Sequence, residues 1–331
     1  MADKTSFLQQ WLEKIWYENG SGRFLLLPLT ALYCVVNNYQ RNKLSKQQPH
    51  IECPIIVVGN ITVGGTGKTP LTIYITQLLQ KSGFKPAIIT RGYGGKSEHW
   101  PQYVEPDTDP NLVGDEAVLM ATRTNVPIYA GANRLDSIQK LRSQHDVDVI
   151  ISDDGLQHYK MPRDIQIAVI DATRLFGNGL CLPAGPLRER KNRLDSCDFV
   201  VLNGGKPSDE FSYNMQLIGD VLINLSTFEE MPIEDFNGKR VNAVTGIGNP
   251  QRFYTSLKEA GLVLETVSFP DHHNFQKVDM DFNNDNPIIM TEKDAVKCNT
   301  FANENMWYLP ISASLDNNFN QDLLQLLKEK D

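Results

Sequence analysis

Four absences limit the chain before any motif is read. No apolar run reaches the roughly 20 residues that a membrane-crossing helix needs; the longest, Phe24 to Val36, has 13 with only Thr30 polar. There is no excess of positive charge, since 32 Lys and Arg against 40 Asp and Glu give a net charge of -8 and a pI near 5.3. That balance excludes a general nucleic-acid binder, which needs a basic face to neutralise phosphates. There is also no cysteine pattern. The five, Cys34, Cys53, Cys181, Cys197 and Cys298, are scattered without C-x-x-C spacing, so neither a disulfide framework nor a zinc site is expected and a reducing cytosol fits. No small-residue cleavage site follows the apolar stretch, so no cleavable signal is expected.

What is present centres on residues 54 to 70, PIIVVGNITVGGTGKTP. Ile55 to Val58 is a β-branched run of the kind that forms a buried parallel strand, and Thr69 onward has helical spacing. Glycines in the turn between them can take positive φ and let backbone amides approach an anion, while the helix dipole favours negative charge. Lys68 would reach the phosphates of a nucleotide and Thr69 would offer its hydroxyl to Mg²⁺. Thr62 stands where the strict G-x-x-x-x-G-K-[ST] pattern has its first glycine, so Gly64, Gly65, Thr66, Gly67, Lys68 and Thr69 read as the variant loop G-G-x-G-K-[ST].

From residue 51 strands and helices alternate, which predicts a parallel sheet with helices on both faces and ligands at the carboxyl ends of its strands. The expected fold is α/β: a P-loop-type parallel-sheet domain over 51–205, a two-stranded linker and smaller α/β domain over 206–331, and an N-terminal interfacial helical segment over 1–50. With 41% hydrophobic residues, a chain of this length can bury two cores. In the N-terminal segment Trp11, Ile15, Trp16 and Tyr17 share a helical face, and the 13-residue run is flanked by Arg23, Arg41, Lys43 and Lys46. This suits a monotopic anchor at the surface of an anionic leaflet; a helix pair packed on the protein's own core is the alternative.

Other candidate residues lie at strand exits. Asp153 and Asp154 end the hydrophobic strand from Val147 as a Walker B segment would, holding Mg²⁺ beside Thr69, although paired carboxylates also cap helices. Asp115, in Gly114-Asp115-Glu116, is a helix N-terminus with favourable charge or a base for a substrate hydroxyl. Arg91, in the glycine-rich exit Thr90 to Gly95, meets a phosphate or sits in a plain turn. Arg188, Arg190 and Arg193 follow a proline-bracketed loop and serve an anionic substrate or a solvated basic face. Gly246-x-Gly248 lacks the third glycine of a dinucleotide fingerprint. Asp271-His272-His273 has no partner spacing for a metal, so it offers a histidine facing a cleft or a satisfied loop histidine.

Taken in order, VGNITVGGTGKTP, TRGYGG, GDE, DDGLQH, LPAGPLRE, FPDHH and TEKD resemble the tetraacyldisaccharide 4′-kinases. The resemblance runs from the apolar N-terminus to residue 297. It implies an ATP- and Mg²⁺-dependent kinase that phosphorylates the lipid A disaccharide precursor to lipid IVA at the cytosolic face of the bacterial inner membrane. It implies Lys68 and Thr69 at the ATP phosphates and metal, Asp153 and Asp154 at the metal, Asp115 as catalytic base paired with His272, and Arg188 and Glu189 on a substrate-proximal loop. The roles of Glu292 and Lys293 stay open, and no obligate protein partner is expected. A nucleotide-driven switch or chaperone acting on a protein partner is the rival reading. Val63 occupies the position of the lysine through which such variant-loop proteins often dimerise, and no N-K-x-D base-reading motif occurs.

Overall fold

The computed structural model describes residues 7–18, 20–205 and 211–330. Its first sheet has nine strands in the order Ser312–Leu315, Tyr213–Ile218, Phe199–Asn203, Ile165–Asp171, Ile55–Gly59, Val149–Asp153, Pro86–Thr90, Ile128–Ala130 and Gln102–Tyr103. All but the two edge strands run parallel. Successive residues of Ile55–Gly59 enter different cores: Ile55 and Val57 pack with Ala87, Ile89 and Ile150, while Ile56 and Val58 pack with Ile88 and Ile151. Both faces are therefore buried, which is why the run is continuously apolar rather than alternating. Helix Lys68–Lys81 covers one face with Leu71, Ile75 and Leu79, and helix Arg134–Gln144 covers the other with Ile138 and Leu141.

The second sheet has six strands in the order Glu230–Pro232, Val221–Asn224, Met306–Leu309, Ile288–Thr291, Arg240–Thr245 and Val263–Ser268. The last four are parallel, and helix Pro250–Glu259 seats Phe253, Tyr254 and Leu257 in their core. The C-terminal stretch does not stay with this unit, as a division at 205/206 had it. Ser312–Leu315 pairs antiparallel with Tyr213–Ile218 on the first sheet, and Phe319, Leu323 and Leu327 of helix Asn317–Lys330 complete the first core. Two passages of chain thus join the units. The expected boundary itself abuts residues 206–210, which lie outside the described residues, as do 1–6 of the expected N-terminal segment.

Among the described residues two helices, Phe7–Tyr17 and Arg23–Leu44, precede the first strand. One side of this segment packs on the protein's own core and the other is exposed. Ile15 is buried, Trp16 Nε1 donates to the Pro183 carbonyl at 2.9 Å, and Thr30 is buried against the 181–184 turn. On the other side Phe24, Leu25, Leu29, Leu32, Val35 and Tyr39 are each more than half exposed. No helix among the described residues is long and apolar enough to cross a membrane.

Candidate active site

The carboxyl ends of the first sheet's parallel strands gather most of the sequence-predicted residues. Ile55–Gly59 leads into the glycine loop, where Gly64 and Gly67 take φ of +107° and +91°. A Cβ on Gly67 would meet Asn203 Nδ2 at 2.5 Å, so the position requires glycine for both conformation and space. Asn203, at the tip of its own strand, donates to the Thr66 carbonyl at 2.9 Å and braces the loop from behind. The amides of Gly64 to Gly67 donate no hydrogen bond among the described residues, and the buried Thr66 hydroxyl has no partner. Free amides, an orphaned hydroxyl and the N-terminus of an α-helix together suit a phosphate chain.

Lys68 begins that helix, with Nζ 3.4 Å from Asn60 Oδ1 and 3.4 Å from Asp154 Oδ1. Thr69 lies beside it in the first turn, partly exposed. The two strand-tip aspartates differ in environment. Asp153 is buried and accepts from Thr72 Oγ1 at 2.9 Å. Burial, with Glu116 and Asp154 adding, pushes its carboxyl up to about 7 against Lys68 and the Thr72 bond. Asp154 sits at φ +50°, a backbone conformation that persists only when its surroundings enforce it. Burial would raise its carboxyl, but Lys68 and Arg188 outweigh that and hold it below the usual carboxylate range. Arg188 Nη1 is 3.4 Å from both Asp154 oxygens and 3.3 Å from Gln157 Oε1.

Glu189 does not accompany Arg188 toward this cleft. Its buried carboxylate turns inward, 3.3 Å from Arg193 Nε and 2.9 Å from Gln157 Nε2, where the i,i+4 arginine satisfies its charge. Arg91 is exposed at the exit of its strand. Its charge adds to the burial that pushes Arg134 down to about 10, against Asp153 and Asp154.

The second unit brings its own strand exits against Asp115 and Glu116 of the first. Asp115, almost fully buried at the start of helix Asp115–Thr124, has Oδ2 3.0 Å from His272 Nδ1. His273 instead meets Asp279 at 3.0 Å. Burial alone would raise the Asp115 carboxyl, yet the His272 hydrogen bond and the charges of Lys293 and Lys297 hold it below its ordinary value. The same bond raises the His272 imidazole, against burial and Lys293. Lys293 lies 3.2 Å from Glu116, 3.7 Å from Asp271 and 3.9 Å from Asp115. Glu292 receives Arg123 Nη1 at 2.9 Å on each oxygen. These two open positions of TEKD therefore tie the units together, while Asp294 binds Thr245, the Gly246 amide, Thr291 and Lys297 within its own.

A glycine loop with free amides at a helix N-terminus and a buried carboxylate–imidazole pair thus both lie among the strand exits. A family model for tetraacyldisaccharide-1-P 4′-kinase matches residues 22–328. The chain belongs to the tetraacyldisaccharide-1-P 4′-kinase family. Tetraacyldisaccharide 4′-kinases from Nitrosococcus oceani and Methylobacillus flagellatus are 43% and 46% identical to it, over 99% and 96% of this chain and 96% of each relative. Among solved structures, the "apo" form of LpxK from Aquifex aeolicus in complex with ATP superposes with a TM-score of 0.79 at 28% identity, covering 92% of this chain and 99% of that one.

Within this kinase site several residues escaped the sequence reading. Asn60, Arg134, Gln157 and Asn203 hold the loop and strand tips by hydrogen bonds to backbone or to charged groups. Asn60 and Asn203 each had a cue in their position at a strand end, and Asn60 and Gln157 stand within the motifs VGNITVGGTGKTP and DDGLQH.

Proposed function

We propose that the chain transfers the γ-phosphate of ATP to the 4′-hydroxyl of a tetraacylated glucosamine disaccharide 1-phosphate, working on the cytosolic surface of the inner membrane. The observation that carries this reading is the 3.0 Å contact between Asp115 and His272, made where the carboxyl ends of the two parallel sheets meet. Such edges are where open α/β sheets bind ligands.

The loop from Gly64 to Thr69 would hold the triphosphate through its free amides, with Lys68 against the outer phosphates. Among the described residues no group of three or more His, Cys, Asp or Glu could hold a metal alone. Magnesium at a nucleotide site needs only one or two protein oxygens beside phosphate and water, and Thr69, Asp153 and Asp154 fit that need. When bound, the ion neutralises charge on the phosphate oxygens.

Asp115 accepts the proton of the attacking hydroxyl. Its depressed pKa keeps it ionised, and His272, donating from Nδ1, fixes which lone pair faces the sugar. Lys293 and Lys297 balance the carboxylate, so a buried charge is tolerated. Arg188, already drawn toward Asp154, is available to an anionic oxygen at the phosphate end of the cleft. Glu189 keeps that loop in place from behind, and Arg91 stands at the rim, where it would meet the substrate's own phosphate.

The exposed face of helix Arg23–Leu44 gives the enzyme access to its substrate. Twenty-two residues at 1.5 Å each make a rod of about 33 Å. Its outward leucines and aromatics suit the headgroup boundary, and Arg41, Lys43 and Lys46 suit an anionic leaflet. Enzyme and lipid are then confined to one surface, which raises their encounter rate.

The test is a transfer assay with γ-labelled ATP, magnesium and detergent-dispersed disaccharide 1-phosphate. Label on the 4′-oxygen of the disaccharide is expected. Rapid ATP hydrolysis without label in the lipid would overturn the reading.

A further inference from the structure

We propose that Asn37 and Tyr33, on the N-terminal helix, are positioning residues for phosphate transfer: they hold Arg188 in register at the phosphate end of the cleft. The proposal rests on the reading of Arg188 as a group at the phosphate end of the cleft. The helix would then have a second duty, independent of lipid contact.

The Arg188 carbonyl accepts two hydrogen bonds from this helix, from Asn37 Nδ2 at 2.7 Å and from Tyr33 Oη at 2.9 Å. Asn37 cannot rotate its amide freely, because Oδ1 accepts from Tyr159 Oη at 2.8 Å. On its other side the same short segment pairs with the phosphate loop. The Arg188 amide donates to the Ile61 carbonyl at 2.7 Å, and the Val63 amide donates to the Pro186 carbonyl at 2.9 Å. Thr62 and Leu187 form the antiparallel bridge between those bonds. Upstream, Thr30 Oγ1 donates to the Cys181 carbonyl at 3.3 Å and accepts from the Ala184 amide at 3.0 Å.

Residues 181–188 therefore satisfy much of their backbone polarity on helix side chains rather than on the sheet. Two donors on one carbonyl fix the direction in which residue 188 leaves the backbone. Its guanidinium then reaches Asp154, which in turn reaches Lys68. Displacement of a charged group by about 1 Å can cost roughly a hundredfold in rate, so a clamp on the Arg188 backbone is a catalytic adjustment as well as a structural one.

Asn37→Asp is the discriminating variant. It keeps size and the acceptor for Tyr159 but places a carboxylate oxygen against the Arg188 carbonyl. The expected result is a loss in kcat of about tenfold or more, equal for substrate in detergent micelles and in vesicles of anionic phospholipid. KM for ATP and sedimentation with vesicles stay at wild-type values. Hydrogen exchange at the Arg188 and Val63 amides speeds up, and in an Arg188→Ala background Asn37→Asp causes no further loss. Should Asn37→Asp melt early, Tyr33→Phe, which deletes only the other donor, carries the same test with a smaller loss.

Unchanged kcat, unchanged exchange, or a loss confined to vesicles overturns the proposal. If the wild-type protein itself moves no phosphate to the disaccharide, the functional reading fails instead, and the exchange measurement alone decides whether the clamp exists.

Discussion

Asp115→Asn isolates the base from the architecture around it. The substitution is isosteric, so His272 keeps a hydrogen-bond partner and no cavity opens. Nor does it strand the neighbouring cations: Lys293 retains Glu116 at 3.2 Å and Asp271 at 3.7 Å, and Lys297 retains Asp294 at 2.9 Å. Stability should therefore change by no more than about 1 kcal/mol, the scale of one ordinary hydrogen bond. The loss falls on chemistry. A positioned general base contributes roughly 10²- to 10⁴-fold, which at 1.36 kcal/mol per decade is about 3–5.5 kcal/mol of barrier. Single-turnover transfer of labelled phosphate at saturating ATP measures this, while calorimetric titration with a non-hydrolysable Mg·ATP analogue should give an affinity within about twofold of wild type, because Asp115 is not part of the glycine loop. A variant that keeps more than about a tenth of the wild-type rate refutes Asp115 as base. Parallel loss of nucleotide affinity would show that the residue shapes the loop instead.

Gly67→Ala must hold an alanine at φ +91° with its Cβ against Asn203; left-handed backbone costs about 1–2 kcal/mol before that clash, so Mg·ATP affinity should fall at least tenfold by calorimetry with little change in far-ultraviolet dichroism. The His272 imidazole is raised by Asp115, so the stability it contributes is fully present below its unfolded value near 6.5 and is lost as pH rises through the raised folded one; the melting-temperature gap between wild type and His272→Gln should be widest near pH 6 and shrink toward pH 9, and a gap that grows with pH contradicts the pairing. Arg123→Ala leaves Glu292 inward-facing without its partner, and because Arg123 keeps about a fifth of its side chain exposed the loss, read by urea denaturation, should be about 2–3 kcal/mol rather than the 3–5 of a fully buried pair. Leu25→Glu with Leu32→Glu removes two outward leucines worth roughly 3 kcal/mol of insertion together, so partitioning onto anionic vesicles should drop about a hundredfold while transfer in detergent persists.

The parts of this molecule that were legible in the sequence are those written by local physics. Ile55 to Val58 is β-branched because both faces of its strand are buried, and Gly67 is glycine because its φ and its neighbour allow nothing larger. Strand exits therefore located Lys68, Asp153 and Asp154 without reference to any partner. What local pattern could not supply was pairing at a distance. Asp115 and His272 are separated by 157 positions, and only the meeting of two sheets brings them together. The return of residues 312–330 to the first sheet is carried by a four-residue edge strand, too short for its alternation to stand out. Glu189 looked outward beside Arg188, although Arg193 at i,i+4 was a sign that its charge was met within the chain. In the N-terminal helix the spacing of Thr30, Tyr33 and Asn37, three, then four, residues apart, marked a docking face inside an otherwise apolar segment, and that signal was available from the outset.

The most direct test of the whole account is a structure of the protein with magnesium, a non-hydrolysable ATP analogue and the acylated disaccharide. The account predicts the triphosphate along Gly64 to Thr69 and the sugar 4′-oxygen within about 2.6–3.2 Å of an Asp115 carboxylate oxygen, in line with the terminal phosphate. A 4′-oxygen held elsewhere, with Asp115 still closed against His272 and remote from the sugar, would contradict it.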